Sequence, residues 1–362
     1  MFLSVVNETN IMKQITGSIT RYSIIVCLSA ISIFSNSAIV YAQTTTTVTP
    51  GKTLGGKNSN HPGWFKESFL DITEDIDEAA ESNKHVMLFM HLNGCPYCYK
   101  MTEENLKNAP YTDFIKENFD VIAINIKGDR EVAFDEETSL SEKELAAKLK
   151  VIYTPAVIFL DSNMQIVAKV NGYRSVEQFK YVLDYVQQGA YKQTSLTQYI
   201  ADIKNNLYEF RNHPQLMNTM DLSAANNKPV AVLFESKACV DCNALHDGHL
   251  NNSEVNEVLK NFNFIRFDAL SSEKMIEFNG QQTTPRDYAE QLNISYYPTL
   301  VLFDKGKEIL RIENKLYHYH FIESLRYVGE RHYIQYPDIV FDYMNKKTEK
   351  LLESGQDVNI GE

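Results

Sequence analysis

The sequence predicts an α/β protein made of two copies of one unit in tandem, and three observations carry that prediction. An apolar run, Val86-Met87-Leu88-Phe89-Met90, hands over to Gly94-Cys95-Pro96-Tyr97-Cys98. A second run, Val230-Ala231-Val232-Leu233-Phe234, hands over to Cys239-Val240-Asp241-Cys242, 144 residues further on. An X-Pro step ahead of an apolar strand, Thr154-Pro155 and Tyr297-Pro298, recurs at an offset of 143, so the repeat holds to within one residue across a domain. Repeats of this length mean tandem domains, not a solenoid. At 362 residues and 44% hydrophobic, the chain is long enough for two separate cores.

Residues 1–42 read as an export signal. Lys13 and Arg21 give a charged start, Ile24 to Phe34 an apolar core, and Val40-Tyr41-Ala42 a small-residue exit. Met12 is an alternative start that gives a more ordinary charged region. An uncleaved membrane anchor is the competing reading, since Tyr22 to Tyr41 is just long enough to cross a bilayer. Cys27 follows Val26, which argues against lipoprotein processing. Residues 43–60, rich in Thr, Gly and Asn, have almost nothing to bury and read as a flexible spacer.

The first unit, residues 61–192, opens near Trp64-Phe65. A helix is predicted over Thr73 to Ser82 with Ile76 and Ala79-Ala80 facing inward. The strand Val86 to Met90 and the cysteine helix follow, until Pro110 interrupts it. Tyr111, Phe114, Ile115 and Phe119 resume helical spacing, and Val121 to Ile126 alternates as a strand. Lys127 to Leu140 reads as a polar excursion. Ser141 with Glu144 three residues on is a capping box opening the next helix. Ala156 to Leu160, the turn Asp161-Ser162-Asn163 and a strand through Val167 lead to a last helix. That helix opens at Ser175, carries Phe179, Val182, Leu183 and Val186 on one face, and stops at Gly189.

The second unit, residues 193–347, repeats these elements. Val255, Val258, Leu259 and Phe262 mark a helix, and Phe264 to Asp268 a strand. Thr284-Pro285 supplies an N-cap followed by proline at the first helical position. Thr299 to Phe303, the turn Asp304-Lys305-Gly306 and a strand through Ile312 precede a helix with Phe321, Ile322, Leu325 and Val328 before Gly329. His318 and His320 read as loop or helix-cap residues. Residues 348–362 are acidic and unpatterned and read as a disordered tail.

A formal charge of −12 argues against nucleic acid, which a basic footprint would accompany. Of five cysteines, Cys27 lies in the export segment and the other four form two close pairs, leaving none for a long-range structural disulfide. A CxxC placed where a strand meets a helix sets the first sulfur among unpaired N–H groups at the positive end of the helix dipole. Thiolate is favoured there, and thiolate is the nucleophile of disulfide exchange. The spacing lets the second sulfur attack a mixed disulfide made by the first, so Cys95 reads as attacking and Cys98 as resolving. Paired cysteines are also zinc ligands and structural bridges. Cys239, Cys242, His246 and His249 make a conceivable Cys2His2 set, although the first copy has Thr102 where His246 stands.

Gly94-Cys95-Pro96-Tyr97-Cys98 with Thr154-Pro155, and Cys239-Val240-Asp241-Cys242 with Tyr296-Tyr297-Pro298-Thr299, resemble the thioredoxin superfamily, over roughly residues 62 to 345. The resemblance implies two thioredoxin-like domains, each a central mixed β-sheet flanked by helices. The first half resembles the periplasmic SoxW-type thioredoxins in Gly-Cys-Pro-Tyr-Cys, in Lys127-Gly128-Asp129-Arg130-Glu131, and in Gly189-Ala190-Tyr191. It further implies cis peptide bonds before Pro155 and Pro298, facing the cysteines, with the backbone at Thr154 and Tyr297 binding substrate as an added strand.

The chain departs from that family in two ways. The buried aspartate usual six residues before the first cysteine is replaced by Phe89 and Leu233. Strand alternation puts His91 and Glu235 on the same face, so they are the candidates for proton transfer, against a reading as solvated strand ends. The preceding tryptophan is replaced by Gly94 and Ala238. Asp241 places a carboxylate beside the second pair, which predicts Cys95-Cys98 as the more oxidising pair and Cys239-Cys242 as the more reducing one.

The leading expectation is an exported, periplasmic thiol-disulfide oxidoreductase. It would act on periplasmic proteins bearing thiols or disulfides and draw electrons from an upstream membrane or soluble donor. It would need no dissolved cofactor or metal, because the cysteines carry the electrons. The alternative is a non-catalytic tandem binding module, or a protein handling metal through Cys and His.

Overall fold

The computed structural model describes residues 49–362 apart from 59, 136, 205–206 and 226–227. The expected export segment and Cys27 therefore lie outside the described residues. After β1 (Thr53–Leu54) comes α1 (Ile72–Glu81), capped by Asp71, whose carboxylate accepts the Glu74 N–H at 3.0 Å. The helix buries Ile72, Asp75, Ile76 and Ala79, an i, i+3, i+4, i+7 stripe. Ala80, expected to face inward, is exposed because it falls a further 100° round the helix.

The first sheet is built around β2 (His85–His91), buried along almost its whole length. After it run α2 (Pro96–Met101), which continues as a π-helical turn over Thr102–Lys107, then α3 (Thr112–Asn118) and β3 (Phe119–Asn125). The supposed polar excursion folds as a hairpin, β4 (Glu131–Asp135) against β5 (Thr138–Ser141), because Val132 reaches the core beside α1. The capping box forms at α4 (Glu142–Lys148), where the Ser141 N–H donates to Glu144 at 2.8 Å. β6 (Ala156–Leu160), β7 (Ile166–Asn171) and α5 (Val176–Gln187), capped by Ser175, complete the unit. Gly189 ends this segment at φ 65°, as the sequence predicts.

The strand order is β3-β2-β6-β7, with β2 parallel to β3 and the other pairs antiparallel. Antiparallel neighbours on one side and a parallel one on the other make the sheet mixed. One face packs on α5 and on both cysteines of the first pair. The other packs on α1 and α4.

In the second half come α6 (Leu196–Ile203), β8 (Leu216–Met217), β9 (Val230–Glu235), α7 (Cys242–Asp247), α8 (Ser253–Leu259) and β10 (Asn263–Asp268). A small hairpin, β11 (Met275–Ile276) with β12 (Gln282–Thr283), leads to α9 (Pro285–Gln291), capped by Thr284. β13 (Thr299–Asp304), β14 (Lys307–Ile312) and α10 (His318–Gly329) follow. The order β14-β13-β9-β10-β8 repeats the first sheet with one added edge strand. Each half is thus a mixed β-sheet flanked by helices.

Both ends of the described chain depart from expectation. α11 (Val340–Glu353) runs into the supposed tail, and β15 (Val358–Asn359) pairs in parallel with β1 inside the supposed spacer. The tail is held by burial of Val340, Tyr343, Met344 and Val358. The spacer is held by main-chain pairing, which needs no buried side chains, and Thr53 and Leu54 remain exposed. Among the described residues no helix is long and apolar enough to cross a membrane.

Candidate active site

Each cysteine pair sits just beyond the end of the central strand of its sheet, closed as a disulfide, Cys95–Cys98 and Cys239–Cys242. The local folding of the two differs. Pro96 is preset for the first helical turn, so α2 begins directly after Cys95, and Cys95 is its N-cap. The Cys98 N–H points at the Cys95 sulfur at 3.0 Å. In the second copy α7 begins only at Cys242, with Asp241 as N-cap. The expectation that the first sulfur caps a helix therefore holds for Cys95 and not for Cys239. Val240 lacks the φ constraint that proline imposes.

Thr154-Pro155 and Tyr297-Pro298 are both cis. The Cys95 sulfur lies 3.6 Å from the Thr154 carbonyl oxygen and 3.4 Å from its hydroxyl. Tyr297 and Cys239 line one small space with Ala238 and Val240. Gln178, Thr197 and Ile200, from α5 and α6, close that space to about 10 Å³, roughly one water-sized probe.

The two proton-transfer candidates are buried. His91 lies edge-on to His61 with ring centroids 4.3 Å apart, and burial, reinforced by His61, pushes its pKa down to about 4. It is a neutral imidazole at neutral pH. Glu235 is fully buried; its Oε1 accepts the Tyr208 hydroxyl at 3.1 Å and lies 2.9 Å from His246 Nε2. Its Oε2 has no hydrogen-bond partner and sits 4.0 Å from the Arg266 guanidinium. The solvated-strand-end reading is overturned for both, because each strand end is covered by the helix or loop packed against it. In the first copy the His246 position is Thr102, whose buried hydroxyl has no partner. His249 stacks on Phe321 at 4.1 Å and bonds the Leu316 carbonyl at 2.9 Å. Among the described residues no three Cys, His, Asp or Glu side chains converge as a metal site.

What sequence reasoning missed is that each half reaches into the other's motif. Tyr97 stacks on Tyr317 with centroids 4.6 Å apart; its hydroxyl accepts the Tyr317 N–H at 2.8 Å and is hydrogen-bonded to His320 Nδ1 at 2.8 Å. His320 is therefore an interface residue, and burial lowers its pKa to about 4. In the other direction the Arg174 guanidinium lies 4.0 Å over the Tyr296 ring. The Tyr296 hydroxyl donates to Asp241 Oδ2 at 2.9 Å, and the Ser175 hydroxyl donates to the same oxygen at 3.3 Å.

The contact is reciprocal. Arg174 and Tyr317 are 143 residues apart, each just ahead of the last helix of its half, and Tyr97 and Asp241, each third in its motif, are 144 apart. Asn171 Nδ2 donates to Glu313 at 2.7 Å. Gly172, at φ 75°, packs where a Cβ would collide with the Asn314 side chain, so only glycine allows this approach. The repeat offset was the available signal; it aligns these residues but does not say that they meet.

The sequence model of the thioredoxin-like domain family matches residues 72–187 and again 216–329, together more than half of the chain. Among solved structures, a thioredoxin-fold protein from Helicobacter pylori is similar at 29% identity, covering 33% of this chain and 84% of that one, with a TM-score of 0.30. A thioredoxin from Thermus thermophilus is similar at 24% identity, covering 32% and 83%, with a TM-score of 0.26. The C-terminal domain of DsbD from Neisseria meningitidis, in the oxidised form, is similar at 18%, covering 32% and 91%, with a TM-score of 0.23. No curated protein matches the chain.

Proposed function

This chain belongs to the thioredoxin-like domain family in both of its halves, and from that premise we propose that it is an exported thiol-disulfide oxidoreductase acting on disulfides of other periplasmic proteins. The observation that carries the reading is the geometry at Cys95, whose sulfur receives the Cys98 N–H at 3.0 Å and lies 3.6 Å from the carbonyl of Thr154. A sulfur that already receives an N–H at a helix start is set to bear negative charge.

Reduced Cys95 attacks one sulfur of a substrate disulfide, the other sulfur leaves as a thiol, and a mixed disulfide forms. Cys98 then attacks Cys95, the substrate departs carrying two electrons and two protons, and Cys95–Cys98 is left oxidised. The backbone at Thr154 and Pro155 holds the substrate strand, and Tyr297 and Pro298 do so for the second pair. An upstream membrane or soluble donor restores the dithiols. The cysteines themselves carry the electrons, so no dissolved cofactor is required. Export rests on the pattern in residues 1–42, and SoxW-type specificity on the motif residues of the first half.

Insulin reduction tests the reading. Cys95→Ser should abolish the activity of the first site, and Cys98→Ala should accumulate partners as mixed disulfides. A wild-type chain inert toward insulin and toward small disulfides, with Cys98→Ala trapping nothing, would end the proposal. The lining of the space beside Cys239 by Gln178 of α5 and by Thr197 and Ile200 of α6 favours a second reading for that pair alone, an internal relay in place of a second protein-facing site. Cys239→Ser would then slow turnover at the first site without removing its single-turnover activity.

A further inference from the structure

Arg174 is buried, with 3% of its surface exposed, and among the described residues no carboxylate lies within ion-pair distance of it. Its N–H groups donate to the carbonyls of Asn171 at 2.6 Å and Tyr173 at 3.4 Å. Removing a guanidinium from water costs several kcal/mol unless negative charge compensates it. The compensation lies across the interface, in Tyr296, Glu313 and Asp241. Tyr296, itself fully buried in its surroundings, offers its ring face to the cation and its hydroxyl to Asp241. The hydroxyl donates to a carboxylate, which pushes electron density into the ring and strengthens its hold on the cation. Arg174, Tyr296 and Asp241 therefore form one chain of charge that starts in the first half and ends inside Cys239-Val240-Asp241-Cys242.

We propose that Arg174 is a positioning residue for the second pair, offsetting through Tyr296 the negative charge that Asp241 presents to Cys239. This rests on the thiol-disulfide reading above. The equivalent link in the other direction, Tyr317 on Tyr97, is neutral, so among the described residues this charged link reaches the second pair and not the first.

The other groups facing this chain are few. Glu313 accepts from Asn171 beside Arg174, and the Tyr173 hydroxyl bonds Glu104. Lys315 and His249 line a cavity of about 200 Å³ on the far side of Asp241 and Tyr296. Burial raises the pKa of Tyr296 well above its ordinary value, so the phenol stays neutral at working pH; it lowers that of Arg174, but a guanidinium titrates so far above working pH that Arg174 remains the cation.

The sign follows from the half-reaction. Reducing Cys239–Cys242 adds two electrons and two protons, and thiolate character at Cys239 stabilises the reduced form. An uncompensated Asp241 opposes that thiolate. Loss of Arg174 should therefore raise the Cys239 thiol pKa and make the pair more reducing.

Both pairs are equilibrated in the full chain against glutathione of set composition and each is read by mass spectrometry after alkylation. Arg174→Met should move the second pair's equilibrium at least tenfold toward the disulfide, about 30 mV for a two-electron couple, and move Cys95–Cys98 less than threefold. Arg174→Lys should restore most of the difference, and in an Asp241→Asn background Arg174→Met should shift the pair less than threefold. Tyr296→Phe keeps the ring and loses the link to Asp241; it should shift the second pair in the same direction as Arg174→Met and by less, and it carries the test if Arg174→Met does not fold. Equal shifts with and without Asp241, equal shifts of both pairs, or an unmoved pair in Tyr296→Phe would overturn the assignment. The glutathione equilibrium is read without any protein substrate, so failure here is distinct from failure of the oxidoreductase reading.

Discussion

His320 joins the halves through its Nδ1, 2.8 Å from the Tyr97 hydroxyl, and burial holds the imidazole neutral by lowering its pKa to about 4. His91 is held neutral in the same way. In the unfolded chain both would take up protons near pH 6.5, whereas the folded chain refuses them until about pH 4. Between those values the unfolded state binds more protons, so stability falls as the pH is lowered, on the order of 3 kcal/mol per histidine by pH 4. Above pH 6.5 neither contributes any slope. His320 faces the rings of Tyr97 and Tyr319, while His91 faces His61 with Glu142 and Arg130 further off. Thermal midpoints of the wild type should drop steeply between pH 6.5 and 4.5. His320→Gln, which keeps an acceptor and cannot titrate, should flatten its share of that slope; an unchanged slope would contradict the assignment.

At the scale of the element, the informative difference is where each cysteine helix starts. α2 has its first cysteine as N-cap, with proline at the first helical position, while α7 starts two residues later in its motif. A helix start supplies N–H groups and the positive end of the dipole, worth up to about 1 kcal/mol for a partly exposed charge, and Cys95 alone among the first cysteines has this. Together with whatever part of the Asp241 charge Arg174 leaves uncompensated, it predicts that Cys95–Cys98 is the more oxidising pair. Potentials equal to within about 10 mV, which for a two-electron couple is roughly 0.5 kcal/mol, would show that neither difference matters. The start of α2 was legible in the sequence from Pro96. The late start of α7 was not, since nothing local to Val240 and Asp241 marks where the helix begins.

For the whole molecule, the described termini act together beside the first motif. The Gly51 N–H bonds the Leu352 carbonyl at 2.8 Å, β1 pairs with β15, the His318 N–H bonds the Glu362 carbonyl at 3.0 Å, and the Asn58 side chain accepts the Gly94 N–H at 2.7 Å. Removing residues 357–362 should leave both sheets intact but free residues 52–55, which bond to that segment, and so loosen the hold of Asn58 on Gly94. Hydrogen exchange should then accelerate at Val358's former partner strand and at Gly94, with the thermal transition of the two cores little moved. Protection of residues 52–55 that survives the deletion would show that β15 does not hold them. Sequence reading assigned spacer and tail to disorder because each is polar taken alone. The pairing spans more than 300 positions, and no local pattern encodes it.

The sequence by itself determined the duplicated sheet, the helix caps at Ser141, Ser175 and Thr284, and the cysteine and proline positions. All of these follow from periodicities and turn chemistry that act over a few residues, multiplied by a repeat that makes each half evidence for the other. Tertiary structure alone decided that Arg174 stacks on Tyr296, that Tyr317 and His320 hold Tyr97, and that Glu235 faces His246 in place of solvent. Those contacts depend on how two finished domains and their loops meet, and the free energy that selects them comes from burying aromatic surface and pairing polar groups between segments far apart in the chain.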